Sequence, residues 1–247
     1  MKRAPIVIHY GCMASEKSLA LIQDYRKSRS VGEVCLCYVP SESKDGQYIT
    51  SRFMAGEGDE NLREIRIPAN GVANSLEIYS DVEAHMKECY NFAKQKGIVV
   101  ARLRINVIID ELNLLDENVK PVIEDLAHNG IRVVASGLDL DYRGEPFPLK
   151  HMKKDNETDN GIERKLVTVP DIMGIASEIH RHYARCSYPL EDGAPCGDNA
   201  TRSQRFRDIE HKEPSNYNDA TIEVDPRKYM PVCETHHKVP GKHNKII

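Results

Sequence analysis

Two short segments of this chain carry the residue types that bind and transfer phosphate groups. The first, residues 11–18, reads G-C-M-A-S-E-K-S and directly follows a short apolar run. The pattern G-x-x-x-x-G-K-[ST] curls the backbone so that its N–H groups surround nucleotide phosphates, while the lysine reaches the terminal phosphates and the hydroxyl ligates Mg²⁺. Gly11, Lys17 and Ser18 match this pattern, but Glu16 replaces its second glycine. Taken alone, the octapeptide also fits an ordinary loop before a helix.

The second segment, residues 106–113, reads N-V-I-I-D-E-L-N. Three β-branched apolar residues before two carboxylates indicate a buried parallel strand whose carboxyl end opens into a crevice, where α/β sheets bind ligands. Asp110 is suited to hold Mg²⁺, and Glu111 is suited to accept a proton. The alternative is a strand that runs into a solvated acidic turn. The presence of a lysine and serine loop after the first strand favours the ligand-binding interpretation.

A third group of residues, near the C-terminus, has the chemistry of a metal site. This part of the chain is poor in aliphatic residues, so it needs a cross-link such as a bound metal to stay folded. Cys186, Cys196 and Cys233 together with one histidine would close a tetrahedral Cys3His zinc site. Nine residues separate the first two cysteines, which is wider than the usual spacing, so unligated thiols remain the alternative. His236 and His237 are rival candidates for the fourth ligand.

The composition fits a cytoplasmic nucleotide-binding protein. A net charge of −4 over 247 residues provides no broad basic surface for a nucleic acid polymer. The sequence has no run approaching the roughly 18 apolar residues that cross a bilayer, so we expect no membrane association. Four of the seven cysteines fall singly or alternately in apparent core elements, which indicates free thiols in a reducing compartment. They are Cys12, Cys35, Cys37 and Cys89.

The elements that must position these residues alternate between strand and helix, which predicts an α/β fold: a parallel sheet with helices on both faces. Lone histidines such as His9, His85 and His128 are interpreted as ordinary packed or surface residues. The predicted strands are residues 6–8, 34–39, 65–67, 106–110 and 131–136, and the predicted helices are residues 18–25, 82–96, 119–129 and 170–183.

Two domains are predicted. Residues 1–184 form the nucleotide-binding α/β domain, within which the polar and aperiodic residues 150–165 are expected to be a flexible surface insertion. Residues 185–247 form a small zinc-binding domain.

Read together, these motifs resemble the zinc-containing thymidine kinases, a P-loop family. Residues 11–18 are similar to that family's G-P-M-F-S-G-K-S, and residues 110–113 to its D-E-A-Q. Residues 135–147, A-S-G-L-D-L-D-Y-R-G-E-P-F, are close to its A-G-L-D-x-D-F-R-G-E-P-F. Further likenesses lie at residues 169–172 (V-P-E-L), 196–201 (C-G-x-x-A) and 229–237 (Y-x-x-x-C-R-x-C-H).

The resemblance implies a kinase that transfers the γ-phosphate of ATP to the 5′-hydroxyl of a pyrimidine deoxynucleoside, with Glu111 as general base. It implies a lasso loop from the zinc domain that encloses the nucleoside base, and a homotetramer. By residue, it assigns ATP and Mg²⁺ to Gly11, Met13, Ser15, Lys17, Ser18 and Asp110, the nucleoside to Tyr142, Phe147 and Tyr229, and structural zinc to Cys186, Cys196, Cys233 and His236.

Departures from the family pattern keep two other classes of function open. We expect Glu16 to adopt a left-handed conformation at a cost of about 1 to 2 kcal/mol. A carboxylate ~4 Å from a phosphate would add about 4 kcal/mol of repulsion at an effective dielectric of 20. Asn113 replaces the family's glutamine, Leu114 an aromatic residue, and residues 224–226 a glycine pair. A catalytically weak relative that acts as a nucleotide- or nucleoside-binding or regulatory protein is therefore the main alternative.

A zinc-dependent nuclease is the remaining class. It is suggested by His236, His237 and His243 after the cysteines and disfavoured by the acidic net charge.

Overall fold

A computed structural model describes residues 3–54, 62–97, 104–150 and 166–242. Within these ranges, six strands form one parallel sheet in the order β5-β2-β6-β7-β1-β8, and β3 pairs with β4 as an antiparallel hairpin. The strands are β1 (Ile6–Tyr10), β2 (Val34–Pro40), β3 (Tyr48–Met54), β4 (Leu62–Pro68), β5 (Asn70–Val72), β6 (Ile105–Ile109), β7 (Arg132–Gly137) and β8 (Glu178–Arg181).

Both faces of the sheet are covered, because alternate residues of its buried strands point into two separate cores. The larger core packs strand residues such as Ile109 and Val133 against three helices, which contribute Ile78, Ile123 and Ile172. The smaller core packs Ile108 on the opposite face against another helix and the hairpin. The helices are α1 (Lys17–Ser30), α2 (Ser75–Lys96), α3 (Val119–His128) and the short α4 (Val169–Met173). The predicted α/β class, with a parallel sheet and helices on both faces, is confirmed.

Helix α2 begins seven residues before its predicted start at residue 82. Asn74 caps it by accepting hydrogen bonds from the backbone N–H groups of Leu76 and Glu77. Its end is where the sequence predicts it, at Gly97, which has the left-handed φ of 64° that glycine tolerates.

The helix predicted over residues 170–183 is wrong. Helix α4 ends at Met173, and the chain then extends into β8, which pairs with β1 at the edge of the sheet. Since all four residues of β8 are exposed, the strand shows no buried face that its sequence could reveal.

After β8 the chain forms small antiparallel sheets that pack beside the carboxyl edge of the main sheet. Strand β11 lies between β12 and β13 in a three-stranded sheet, and β9 pairs with β10 in a two-stranded one. The loop between β12 and β13, residues 215–228, is called the lasso segment below. The strands are β9 (Ala184–Arg185), β10 (Asn199–Ala200), β11 (Arg202–Asp208), β12 (Glu213–Pro214) and β13 (Tyr229–Val232).

The predictions for the surface insertion and for His243 concern residues that the structure does not describe. Residues 151–165, almost all of the expected insertion, lie outside the described residues, as does His243. Among the helices that are described, none is long and apolar enough to span a bilayer.

Candidate functional site

A cleft of about 260 Å³ lies at the carboxyl edge of the parallel sheet. Four loops that follow sheet strands contribute to it, and the lasso segment closes its far side. This is the edge at which α/β sheets bind ligands. The lining includes loop residues Met13, Lys17 and Ser18, carboxylates Asp45, Asp110 and Glu111, and lasso residues Thr221, Ile222 and Glu223.

The loop at residues 11–18 joins β1 to α1 and carries the lysine into this cleft. Lys17 Nζ donates to the Cys12 carbonyl at 2.6 Å and lies 3.3 Å from Ser15 Oγ. Burial lowers the pKa of Lys17, and the nearby Cys12 and Asp110 oppose that shift. The ammonium therefore sits inside the loop curve, beside the N-terminus of a 14-residue helix that favours anions.

Three residues of this loop have positive φ. Gly11, at φ 146°, packs so closely against the His182 carbonyl that a Cβ atom would clash with it. Ala14 and Glu16 have φ values of 60° and 64°, so the expected left-handed conformation of Glu16 is confirmed. The Glu16 side chain is exposed and does not line the cleft. In this position the Glu16 carboxylate is solvated, and water screens an exposed charge.

Asp110 and Glu111 leave β6 in different directions. Asp110 is buried, and its Oδ1 accepts hydrogen bonds from the Ser136 hydroxyl and, at 2.9 Å, from the Glu111 backbone N–H. Both carboxylates and Ser18 line the cleft. Oxygen donors of this kind suit Mg²⁺, so the chemistry of Asp110 and Ser18 fits that ion.

Glu111 has the properties expected of a general base. Its φ of 54° turns it away from the strand path. Its Oε2 atom is buried and has no hydrogen-bond partner among the described residues. Burial, reinforced by Asp110, raises the pKa of Glu111 to about 7, while hydrogen bonding to Ser43 and the charge of Lys17 oppose the rise. A base whose pKa lies near the working pH combines the required protonation state with useful basicity.

The three residues assigned to the nucleoside all line the same cleft. Phe147 is buried against the larger core. Tyr229 donates its hydroxyl to the Glu223 carbonyl at 2.8 Å. The hydroxyl of Tyr142 is surrounded by lasso carbonyls, so only the ring of this residue remains to face a ligand.

Leu114 and Asn113, two departures from the family pattern, also line the cleft. The side-chain Oδ1 of Asn113 accepts a hydrogen bond from the Leu138 backbone N–H at 3.0 Å, so this side chain is held by the fold.

The structure brings the four predicted zinc ligands together. Ligand atoms of Cys186, Cys196, Cys233 and His236 all lie within 4.8 Å of one another, and all seven cysteines of the chain are free. His236 Nδ1 is 3.5 Å from Cys186 Sγ and 3.3 Å from Cys233 Sγ. Bonds of about 2.3 Å to sulfur and about 2.0 Å to nitrogen in a tetrahedron separate such atoms by roughly 3.5 Å. The group therefore has the donor set and spacing of a Cys3His site.

The geometry also separates the two rival histidines. His237 Nε2 lies 2.8 Å from the Tyr142 carbonyl, so this ring faces the cleft loops and not the cysteines. The ring of His236 stacks on Tyr188, with centroids 4.2 Å apart, which fixes its orientation toward the sulfur atoms.

The cysteine group and the loop at residues 11–18 share one small core. Cys12 packs with Cys186 and Cys233 in it, and Cys12 Sγ donates to the Ala200 carbonyl at 3.3 Å. The Met13 backbone N–H donates to Ser203 Oγ at 3.0 Å. A metal in this group would therefore brace the loop that carries Lys17.

One half-buried carboxylate, Asp139, was not predicted as a site residue. Burial raises the pKa of Asp139, and the charges of Arg181 and Lys17 oppose the rise, so this carboxylate lies within electrostatic reach of the loop lysine. The sequence signal was its place within residues 135–147. His9 is a packed residue, as predicted: it is 8% exposed, its Nδ1 lies 2.8 Å from His182 Nε2, and its Nε2 lies 3.5 Å from an Asp24 carboxylate oxygen.

Comparisons with known proteins agree with this geometry. A model of the family "Thymidine kinase" matches residues 4–152. Thymidine kinase of Mycoplasmoides gallisepticum is 38% identical over 210 residues, which cover 78% of this chain and 81% of the relative. Thymidine kinase of Coprothermobacter proteolyticus is 34% identical over 135 residues, 54% of each chain.

Proposed function

Because this chain belongs to the thymidine kinase family, we propose that it is a nucleoside kinase that transfers the γ-phosphate of ATP to the 5′-hydroxyl of a pyrimidine deoxynucleoside. The observation that carries this proposal is that Lys17 and Glu111 face one cleft from the ends of two parallel strands. A phosphate-binding cation and a base of pKa about 7 are the groups that such a transfer needs.

In the proposed reaction, the loop at residues 11–18 binds the phosphates of ATP through its backbone N–H groups and Lys17. Glu111 accepts the proton of the 5′-hydroxyl as the nucleoside oxygen attacks the γ-phosphorus. The new oxygen–phosphorus bond forms while the bond to the β-phosphate oxygen breaks, and ADP leaves. Mg²⁺, held by Ser18 and Asp110, would neutralise phosphate charge when bound.

We propose that Cys186, Cys196, Cys233 and His236 bind structural zinc, and that residues 185–247 form the domain that carries it. The ring of Tyr142, with Phe147 and Tyr229, would contact the nucleoside. By family resemblance we also propose a cytoplasmic homotetramer that acts on free nucleosides and binds no nucleic acid polymer.

The test is a panel of nucleosides incubated with γ-labelled ATP, with formation of labelled nucleoside 5′-monophosphate as readout. At least one pyrimidine deoxynucleoside is expected to be phosphorylated by the unaltered protein, and the Lys17→Met variant is expected to lose this activity. If no nucleoside is phosphorylated although ATP and a nucleoside both bind, the protein is the weak, regulatory relative. The exposed position of Glu16 argues against that alternative.

A further inference from the structure

The lasso segment is held over the cleft by side chains from outside it. Thr221, Ile222 and Glu223 of the segment line the cleft, yet the segment contains only a single turn of 3-10 helix. An irregular loop exposes backbone carbonyls that need hydrogen-bond donors when they are shielded from water. The source of those donors decides whether the lasso has a fixed shape.

Two donors come from the motif at residues 135–147. The Tyr142 hydroxyl lies 2.8 Å from the Asn216 carbonyl and 2.9 Å from the Asp219 carbonyl, and it is 3.2 Å from a third carbonyl between them. Arg143 donates through Nε to the Tyr217 carbonyl at 2.7 Å and through Nη2 to the Asp219 carbonyl at 2.8 Å. These two neighbouring side chains therefore bind the first half of the lasso.

The third donor, Arg205, lies on β11 beneath the lasso. Only 4% of this residue is exposed, which is unusual for an arginine. Its Nη1 donates to the Ala220 carbonyl at 2.6 Å and its Nε to Ser215 Oγ at 3.0 Å. The guanidinium lies 3.6 Å from the centroid of the Tyr142 ring, so a cation–π contact joins it to the other donors.

The planar head group of Arg143 bonds several groups at once. Arg143 also bonds the buried Asp141 at 3.0 Å and Thr221 Oγ1 at 3.0 Å, so one planar fork contacts four groups. A lysine ammonium carries the same charge on a flexible stem but lacks this planar spread of donors. The shape of the fork, more than its charge, fixes the lasso.

We propose that Tyr142, Arg143 and Arg205 are positioning residues that hold the lasso closed over the cleft before the nucleoside binds. The cleft wall formed by Thr221, Ile222 and Glu223 is then prebuilt, so nucleoside binding does not have to order this loop. The nucleoside part of this inference rests on the proposed function, whereas the closure of the lasso does not.

The test compares Arg143→Lys, Arg205→Lys and Tyr142→Phe with an Arg227→Lys control. Arg227 lies in the same segment, but its side chain is 78% exposed and binds Asp225 two residues away. Amide hydrogen exchange of residues 215–224 is measured without nucleoside. In parallel, KM values for nucleoside and for ATP and the zinc content are determined in the full-length protein.

Loss of the hydrogen bonds from these side chains is expected to speed amide exchange in this segment by about tenfold or more, because buried carbonyls lose their donors. The KM for the nucleoside should rise by a similar factor, while the KM for ATP and the zinc content stay as in the unaltered protein. The control should change none of these. Tyr142→Phe removes a single hydroxyl, so it remains informative if an arginine variant folds poorly.

Unchanged exchange in all three variants would overturn the inference. Faster exchange with an unchanged nucleoside KM would overturn the positioning role in binding. If the unaltered protein neither binds nor phosphorylates a nucleoside, the proposed function and the role in nucleoside binding both fail. The exchange measurement still decides whether these residues close the lasso.

Discussion

Replacing Glu16 by glycine is expected to relieve backbone strain in the loop and to leave the affinity of the protein for ATP nearly unchanged. Glu16 has φ 64° and ψ 21°, and its side chain is exposed outside the cleft. A left-handed non-glycine residue costs about 1 to 2 kcal/mol. Glycine returns about 0.5 to 1 kcal/mol of this through the greater freedom of the unfolded chain. The backbone change alone is therefore expected to raise the unfolding free energy by about 0.5 to 1 kcal/mol.

The charge of Glu16 must be separated from its backbone conformation, because the carboxylate also lies at the N-terminus of α1. Glu16→Gln removes the charge and keeps the side-chain length, and a lost helix-terminus interaction of this kind costs about 0.3 to 1 kcal/mol. Ala14→Gly is the matched backbone control, since Ala14 has φ 60° in the same loop and carries no charge. Comparing glycine with glutamine at position 16 then isolates the backbone effect.

Urea unfolding gives the stability of each variant, and calorimetric titration with Mg²⁺ and a non-hydrolysable ATP analogue gives its affinity. We expect both glycine variants to be stabilised relative to their matched references. We expect Kd to change by less than about threefold in each variant, because exposed charges are screened.

A carboxylate ~4 Å from a phosphate would weaken binding by about 4 kcal/mol, or roughly a thousandfold. If glutamine and glycine at position 16 both tighten binding by more than about tenfold, the carboxylate faces the nucleotide and the reasoning is wrong. The chain would then be impaired as a kinase by its own loop.

Three further results are expected. Glu111→Gln should lower turnover by about 10²- to 10⁴-fold with ATP binding nearly unchanged, whereas Asp110→Asn should also weaken Mg²⁺-dependent binding; full nucleoside phosphorylation by the first variant would refute the base assignment. Elemental analysis should find one zinc per chain. Cys233→Ser should unfold the C-terminal part while leaving the sheet intact, whereas the control Cys89→Ser on α2 should unfold neither part. Stoichiometric zinc in the Cys233→Ser variant would contradict the ligand set. Burial lowers the pKa of His182 from 6.5 to about 4, so the folded state favours the neutral ring. Its contribution to stability is therefore complete above pH 6.5 and is lost as pH falls toward 4. Substitution by glutamine should flatten this dependence in urea titrations, and an unchanged slope would exclude His182 as its source.

The central strands and the loop at residues 11–18 could be predicted from the sequence by itself, because each is encoded by a local pattern of residues. Strands buried on both faces are largely apolar, so β1, β2, β6 and β7 can be recognised as short runs rich in apolar residues. The left-handed conformation at Glu16 also follows from the loop pattern alone.

Where an element depends on its neighbours, the sequence failed. Strand β8 is exposed on all its residues and is a strand because β1 offers it an edge, so helical spacing in residues 170–183 was misleading. The start of α2 was missed because Asn74 caps a turn that carries little apolar periodicity.

The same division applies to the site. Residue types and spacing pointed to Lys17, Glu111 and the cysteines as candidate site residues, since each lies in a local sequence motif. Only the tertiary structure distinguished His236 from His237, because two adjacent histidines are equivalent until the fold turns one toward sulfur and the other toward the Tyr142 carbonyl. The donors that hold the lasso could likewise not be predicted, since Arg143 and Arg205 lie 62 positions apart in the chain and their partners are backbone carbonyls, which every residue carries.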